Sequence, residues 1–220
     1  MIRICFISDT HNNHKKLLLP DADIIVHAGD MTSMGKEHEI RNFFKWYSKL
    51  NYKHKICVAG NHDMLFDTSG FHARSLVPHN VKYLEDSGIT LMGYNFYGSP
   101  VQSPFFNWGF MKPESKLKQH WEAIPDDVDV LITHAPAYGI LDSMLIKDDK
   151  LGSPSLTEEI LNRVKPLVHV CGHIHSGHGY KVVNNTTFIN ASILNEEYEV
   201  HYNPILLEIN DKREVTLLKV

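Results

Sequence analysis

Five stretches of the chain share one pattern, a short apolar run followed by an abrupt switch to polar residues. Residues 2–8 (Ile-Arg-Ile-Cys-Phe-Ile-Ser) lead into Asp9-Thr10-His11, and residues 23–28 lead into Gly29-Asp30. Residues 56–59 precede Gly60-Asn61-His62-Asp63, residues 129–133 precede His134, and residues 167–171 precede Gly172-His173-Ile174-His175. Runs this short and this continuously apolar predict strands covered on both faces. The polar residues fall just past the strand ends, where α/β proteins place their ligands.

The intervening segments carry other periods. Over residues 36–50, Ile40, Phe43, Phe44, Tyr47 and Leu50 recur on one face of a helix. Residues 64–79 show no clear period and read as irregular. Residues 81–84, 89–92 and 95–98 are short strands divided by Asp-Ser-Gly and Gly-Tyr turns. Residues 103–111 form a loop dense in Phe, Trp, Gly and Pro, whose aromatics fit either core packing or stacking on a base. A short helix covers 115–123. A long loop follows over 139–154, with Lys147, Asp148, Asp149 and Lys150 at its tip, able to cover a cleft. A helix over 155–164, capped by Ser155 with Glu158 three residues on, stops before Pro166. Strands over 180–183 and 186–190 turn at Asn184-Asn185, and two more cover 205–209 and 214–220. Repeats and linkers are absent and the polar strand ends come from both halves, so residues 1–220 are expected to form a single domain.

Composition narrows the partners. A chain of 220 residues can bury one good core, as a single α/β or β-sandwich domain. A net charge of −4 argues against an extended nucleic-acid-binding surface and leaves room for a nucleotide in a local cleft. Cys5, Cys57 and Cys171 all sit in apolar runs, without C-x-x-C spacing, and read as buried reduced thiols. The N-terminus enters a strand by Ile2, leaving no room for a signal peptide, and no apolar run approaches the length of a membrane span. The expectation is a cytoplasmic protein with no membrane partner.

Each candidate taken singly has two readings. Asp9 and His11, two apart in an extended backbone, fit a shared cation or a capping Asp beside a solvent His. Asp30 fits a bridging carboxylate or an ordinary turn, and Gly60-Asn61-His62-Asp63 a ligand site or a polar turn. His134 alone reads as a structural His or a ligand. Arg74 fits a surface ion pair or a cation for an anionic substrate. His173 and His175, after a buried strand, form the most specific single signal. Jointly, oxygen and imidazole donors without thiolate suit Mn²⁺, Fe or Zn²⁺. A shared carboxylate suggests two ions, roughly 3.5–4 Å apart in sites of this type. No serine or cysteine nucleophile elbow and no Walker loop is present.

The ordered series Asp9-x-His11, Gly29-Asp30, Gly60-Asn61-His62-Asp63, His134 and Gly172-His173-x-His175 resembles the calcineurin-like metallophosphoesterases. Tyr97-Gly98-Ser99-Pro100, Phe106 to Phe110, Thr133 to Pro136, and Gly172 to Gly179 with Ile189-Asn190-Ala191-Ser192 look like the branch of metallophosphoesterase-domain-containing proteins. The resemblance implies an α/β fold, a four-layer αββα sandwich of two mixed β-sheets flanked by helices. It implies two divalent metal ions, with Asp9, His11 and His175 on the first, Asn61, His134 and His173 on the second, and Asp30 bridging. It further implies hydrolysis by a metal-bound hydroxide, with His62 assisting the leaving group and Asp63 orienting His62. Some members of the branch lack a histidine at the place of His173; this chain keeps it. Protein phosphatases of the family carry an arginine shortly after Gly-Asp, where this chain has Met31-Thr32-Ser33-Met34. That departure points to a small phosphodiester or nucleotide substrate, cyclic nucleotides included. A phosphomonoesterase of nucleotides or small metabolites is the alternative, and a non-catalytic binding scaffold the second.

Overall fold

A computed structural model describes residues 1–143 and 150–219. In chain order the regular elements begin with β1 (Ile2–Ile7), β2 (Ile24–His27), α1 (Glu37–Tyr47), β3 (His54–Cys57), α2 (Met64–Thr68), α3 (Gly70–Ser75) and β4 (Lys82–Tyr83). β5 (Ser87–Leu91), β6 (Tyr94–Ser99), α4 (Glu114–Trp121), β7 (Val130–Thr133), α5 (Pro154–Glu159) and β8 (Val168–Cys171) follow. The chain finishes with β9 (Gly179–Val183), β10 (Thr186–Asn190), β11 (Ile205–Ile209) and β12 (Val215–Leu218).

These strands form two mixed sheets of six, in the orders β12-β11-β1-β2-β3-β4 and β5-β6-β7-β8-β10-β9. Within the first, β1, β2, β3 and β4 are parallel, with Ile4 opposite Ile24 and Ile24 opposite His54. Within the second, β6, β7, β8 and β10 are parallel. The antiparallel strands lie at the flanks.

Side-chain alternation explains the layers. Ile4, Phe6, Ile24, Val26, Ile56 and Val58 point inward against Phe96, Val130, Ile132, Val168 and Val170, forming a core between the sheets. The alternate residues Cys5, Ile7, Ile25 and Cys57 face outward under α1, which buries Ile40, Phe43, Phe44 and Tyr47 on them. On the far side Leu131 and Phe188 pack against Leu117, Trp121, Leu156 and Ile160. The result is helix, sheet, sheet, helix, as the family resemblance implied. Being covered on both faces is why the central strands read as predominantly apolar runs.

Three local expectations are corrected. Residues 64–79 are not irregular: α2 and α3 lie there, held by Phe66 and Ala73 in the cluster under α1. Burial of that face, rather than helix propensity, selects the helical conformation. The helix over 155–164 starts earlier, at Pro154, and its cap is Ser153, whose hydroxyl accepts from the Leu156 amide. Ser155 instead bonds the Glu114 carboxylate through its amide and hydroxyl. From Ile160 to Val164 the helix widens to a π turn and ends at Lys165 in the left-handed region, one residue before Pro166. All three cysteines are free and buried, and burial pushes the Cys5 thiol up to about 12. The tip residues Lys147, Asp148 and Asp149 lie outside the described residues. Lys150 sits 5.7 Å from the centre of the Tyr138 ring. Among the described residues no helix is long and apolar enough to cross a membrane.

Because the central strands of each sheet are parallel, their carboxyl ends open on one edge. The two sheets bring those edges together. The Ala28 carbonyl after β2 accepts His134 Nδ1–H from the end of β7 at 2.9 Å, and Ser8 bridges to Ser192 across the sheets. Residues 9, 30, 61, 134 and 173 therefore leave the sandwich at one place.

Candidate metal centre and active site

Asp9, His11 and Asp30 do not continue their strands. All three take left-handed backbone conformations, at φ 54°, 36° and 55°. The shared orientation of Asp9 and His11 thus comes from a turn, not from the extended geometry their spacing suggested. The turn is held by the Asp9 amide on the Gly29 carbonyl at 2.9 Å and the His11 amide on the Asp30 carbonyl at 3.1 Å. Strained backbone of this kind persists where surrounding contacts over-determine it.

Three groups of ligating atoms converge, each mutually within 4.8 Å: Asp9 with His11 and His175, Asp30 with His134 and His173, and His11 with Asp30 and His62. One oxygen of Asp30 lies 3.6 Å from His11 Nε2 and 3.3 Å from His134 Nε2. Its other oxygen accepts the His62 amide at 2.8 Å. The Asp9 carboxylate accepts the His173 amide at 3.0 Å and the Ser192 hydroxyl at 2.7 Å, and lies 3.6 Å from His175 Nε2. Asn61 Oδ1 is 3.0 Å from His134 Nε2. His173 and His175, two apart in sequence, fall in different groups, and His173 is left-handed, at φ 66°.

Four imidazoles are tethered the same way. Nδ1–H donates to the Thr32 carbonyl in His11 (3.1 Å), Ala28 in His134 (2.9 Å), Asn195 in His175 (2.8 Å) and Ser33 in His62 (2.7 Å). Each tether leaves Nε2 facing the common space. Buried polar atoms in native proteins are ordinarily paired, yet His11 Nε2 and Asn61 Nδ2 have no hydrogen-bond partner. Gly60 and Gly172 complete the cradle, since a methyl at Gly60 would overlap Asp30 Oδ1 and one at Gly172 would overlap Asp9 Oδ2.

The electrostatics call for positive charge. Burial opposes ionisation of Asp9, but His175, His134 and His11 hold it well below the usual carboxylate range. Asp30 is likewise held down against burial, chiefly by His134. Burial would lower His134, but the Asp30 and Asp9 carboxylates outweigh it and raise it to about 9. Burial pushes His11 down to about 4 and His173 down to about 3, so both present neutral nitrogen. A proton on His134 therefore supplies the charge that a cation would supply between these carboxylates. The unpartnered His11 Nε2, the neutral imidazoles of His11 and His173 and the paired carboxylates fit divalent metal.

Asp63 does not orient the His62 ring. Its carboxylate accepts from the amides of Gly60 (2.9 Å), Met31 (3.1 Å) and Thr32 (3.0 Å) and from the Thr32 hydroxyl (2.7 Å). It splices the Asp30 turn to the Asn61 turn from beneath. Burial, and then Asp30, raises it to about 6. His62 is instead fixed by the Ser33 carbonyl and by Trp108, which stacks on it with centroids 4.0 Å apart and planes 26° apart. The aromatic loop is pinned there by the Gly109 amide on the Asn61 carbonyl, 3.1 Å. Within that loop Phe110 is buried, Phe105 meets His173 edge-on at 5.1 Å, and Phe106 is 84% exposed.

A cavity of about 250 Å³ opens over these groups, lined also by Phe105, Leu151, Ser176, Glu196 and Tyr198. Tyr198 and Glu196 carried no signal in the sequence, since each comes from a loop whose path only the fold sets; Trp108 and Ser192 stood in motifs of the branch resemblance, without a role at the site. Arg74 is not at the site and pairs with Glu85 at 2.9 Å on the surface. His27 and His169 are buried elsewhere, on the hydroxyls of Thr10 (3.0 Å) and Thr133 (2.8 Å).

Residues 2–177 match the family Calcineurin-like phosphoesterase. The chain belongs to that family, whose members are metal-dependent phosphoesterases. It is 36% identical to Metallophosphoesterase domain-containing protein 1 of Homo sapiens over 234 residues, covering 96% of this chain and 72% of that protein. UPF0046 protein K07C11.7 of Caenorhabditis elegans is 34% identical, with 96% of this chain and 76% of that protein covered. A solved crystal structure superposes with a TM-score of 0.69 over 99% of this chain and 98% of that one. At 18% identity that likeness speaks to the fold.

Proposed function

We propose that the protein is a dinuclear metal-dependent phosphodiesterase. The observation carrying this reading is the convergence of seven oxygen and nitrogen donors from five strand ends around Asp30. Asp9, His11 and His175 would hold one divalent cation and Asn61, His134 and His173 the other, with Asp30 shared. Mn²⁺, Fe and Zn²⁺ suit this donor set. Bound there, such ions polarise phosphoryl oxygens and make water nucleophilic at neutral pH.

The protein's own groups do the rest. The backbone tethers hold each imidazole in one tautomer, so no reorganisation is needed when charge builds up. His62, with Nδ1 committed to the Ser33 carbonyl, exchanges protons only at Nε2. As the imidazolium it donates from Nε2 to the leaving oxygen, and Trp108 keeps the ring from swinging away. Asp63 keeps the two loops in register and takes no part in proton transfer.

Substrate class follows from what surrounds the phosphate. Met31 to Met34 supply no arginine after Gly29-Asp30, and no Lys or Arg lines the cavity among the described residues. A monoanionic diester suits that field better than a dianionic phosphoprotein. Phe105 and Tyr198 at the rim offer faces for a base, which favours cyclic nucleotides. Three buried free thiols and a net charge of −4 support a cytoplasmic protein acting on a small molecule. A panel of bis-p-nitrophenyl phosphate, p-nitrophenyl phosphate and 2′,3′- and 3′,5′-cyclic nucleotides, run with Mn²⁺, Zn²⁺ and Ni²⁺, tests the reading. Diesters are expected to turn over faster than the monoester. Preference for the monoester would make the protein a phosphomonoesterase, and no turnover with metal bound would make it a scaffold.

A further inference from the structure

The turn at residues 195–199 is built into the candidate site. The Asn195 side chain accepts the amides of Glu197 (3.1 Å) and Glu199 (2.9 Å), and its carbonyl accepts the Tyr198 amide (3.1 Å). That same carbonyl accepts His175 Nδ1–H at 2.8 Å, so one peptide oxygen locks the turn to a metal-ligand candidate. Tyr198, left-handed at φ 60°, lays its ring edge-on against His11 at 5.0 Å and His175 at 5.1 Å. With both neighbours so fixed, Glu196 has a defined place on the cavity wall, half-buried beside Tyr198, His175 and Ser176.

Glu196 differs from the other carboxylate lining that cavity. Asp30 is engaged by His11, His134 and the His62 amide. Among the described residues, Glu196 makes no side-chain hydrogen bond and no ion pair. An unpartnered carboxylate on a cavity wall projects its field onto whatever enters. No Lys or Arg among the described lining residues offsets it.

We propose that Glu196 is a specificity-determining residue that admits monoanionic phosphate esters and repels dianionic ones. The proposal rests on the phosphoesterase reading and names the residue that sets its charge preference. A diester meets Glu196 with one negative charge, whereas a monoester or free phosphate meets it with two. At such a solvent-accessible wall the extra charge costs roughly 3- to 10-fold, and salt screens it.

Glu196→Gln keeps the shape and removes the charge. In the Mn²⁺-loaded protein at mildly alkaline pH, the ratio of kcat/KM for p-nitrophenyl phosphate to that for bis-p-nitrophenyl phosphate is expected to rise roughly 3- to 10-fold at low salt, and much less at about 0.5 M salt. Calorimetry on the same proteins reads the charge effect without turnover: inorganic phosphate should bind the variant tighter, and dimethyl phosphate tighter by a smaller factor, so that the ratio of the two affinities shifts by a similar factor. An unchanged binding ratio, or a change that ignores salt, overturns the assignment. If neither ester is hydrolysed while the binding ratio shifts, the catalytic reading fails and Glu196 stands.

Discussion

On the floor of the cavity every side chain arrives just past a buried strand, and on the rim none does. Asp9, Asp30, Asn61, His134, His173 and His175 are set by two sheets whose parallel strands share one open edge. Trp108, Phe105, Glu196 and Tyr198 hang from loops tied down at single peptides, the Gly109 amide on one side and the Asn195 carbonyl on the other. The floor is buried, charged and held by paired hydrogen bonds, so it tolerates little change. The rim is aromatic and half-exposed, and can vary without loss of the fold. On the proposed reading, metal chemistry belongs to the first region and substrate choice to the second.

The sharpest way to break this division is at the shared carboxylate. Asp30→Asn should remove both metal ions together and lower turnover by about 10³-fold or more, read by elemental analysis and a diester assay. Loss of one ion alone would take Asp30 out of the shared position. Next comes His62, which touches both regions. His62→Ala should lower turnover by about 10²-fold or more with metal content retained, and wild-type turnover would remove it from the mechanism. The smallest of the three concerns the rim. Trp108→Leu should lower kcat by about 10-fold, leave KM within about twofold, and keep both ions, since it frees His62 without touching a ligand. If the ions are lost instead, the rim supports the floor and the two regions are not separable.

Legibility follows the same line. The strand ends were readable because burial on both faces makes a run predominantly apolar, and a polar cluster directly after one stands out. β1, β2, β3, β7 and β8 and their terminal ligand candidates all have this form. The segment holding α2 and α3 was not readable, because its helices are stabilised by packing under α1 rather than by a period of their own. The family resemblance implies that Asp63 orients His62, yet its carboxylate turns down to the Thr32 and Gly60 amides. Neighbours in sequence point apart in such a turn. Tyr198 and Trp108 sit 187 and 46 residues from His11 and His62, the imidazoles they contact (198 − 11 and 108 − 62).

By itself the sequence determined which residues could ligate and in what order they come, because ligand chemistry and strand burial are local properties written in residue type and period. The tertiary structure alone decided which carbonyl fixes each ring, which way Asp63 turns, and which loops line the cavity. Those are distances between segments far apart in the chain, and they exist only once two sheets have packed face to face and joined their open edges.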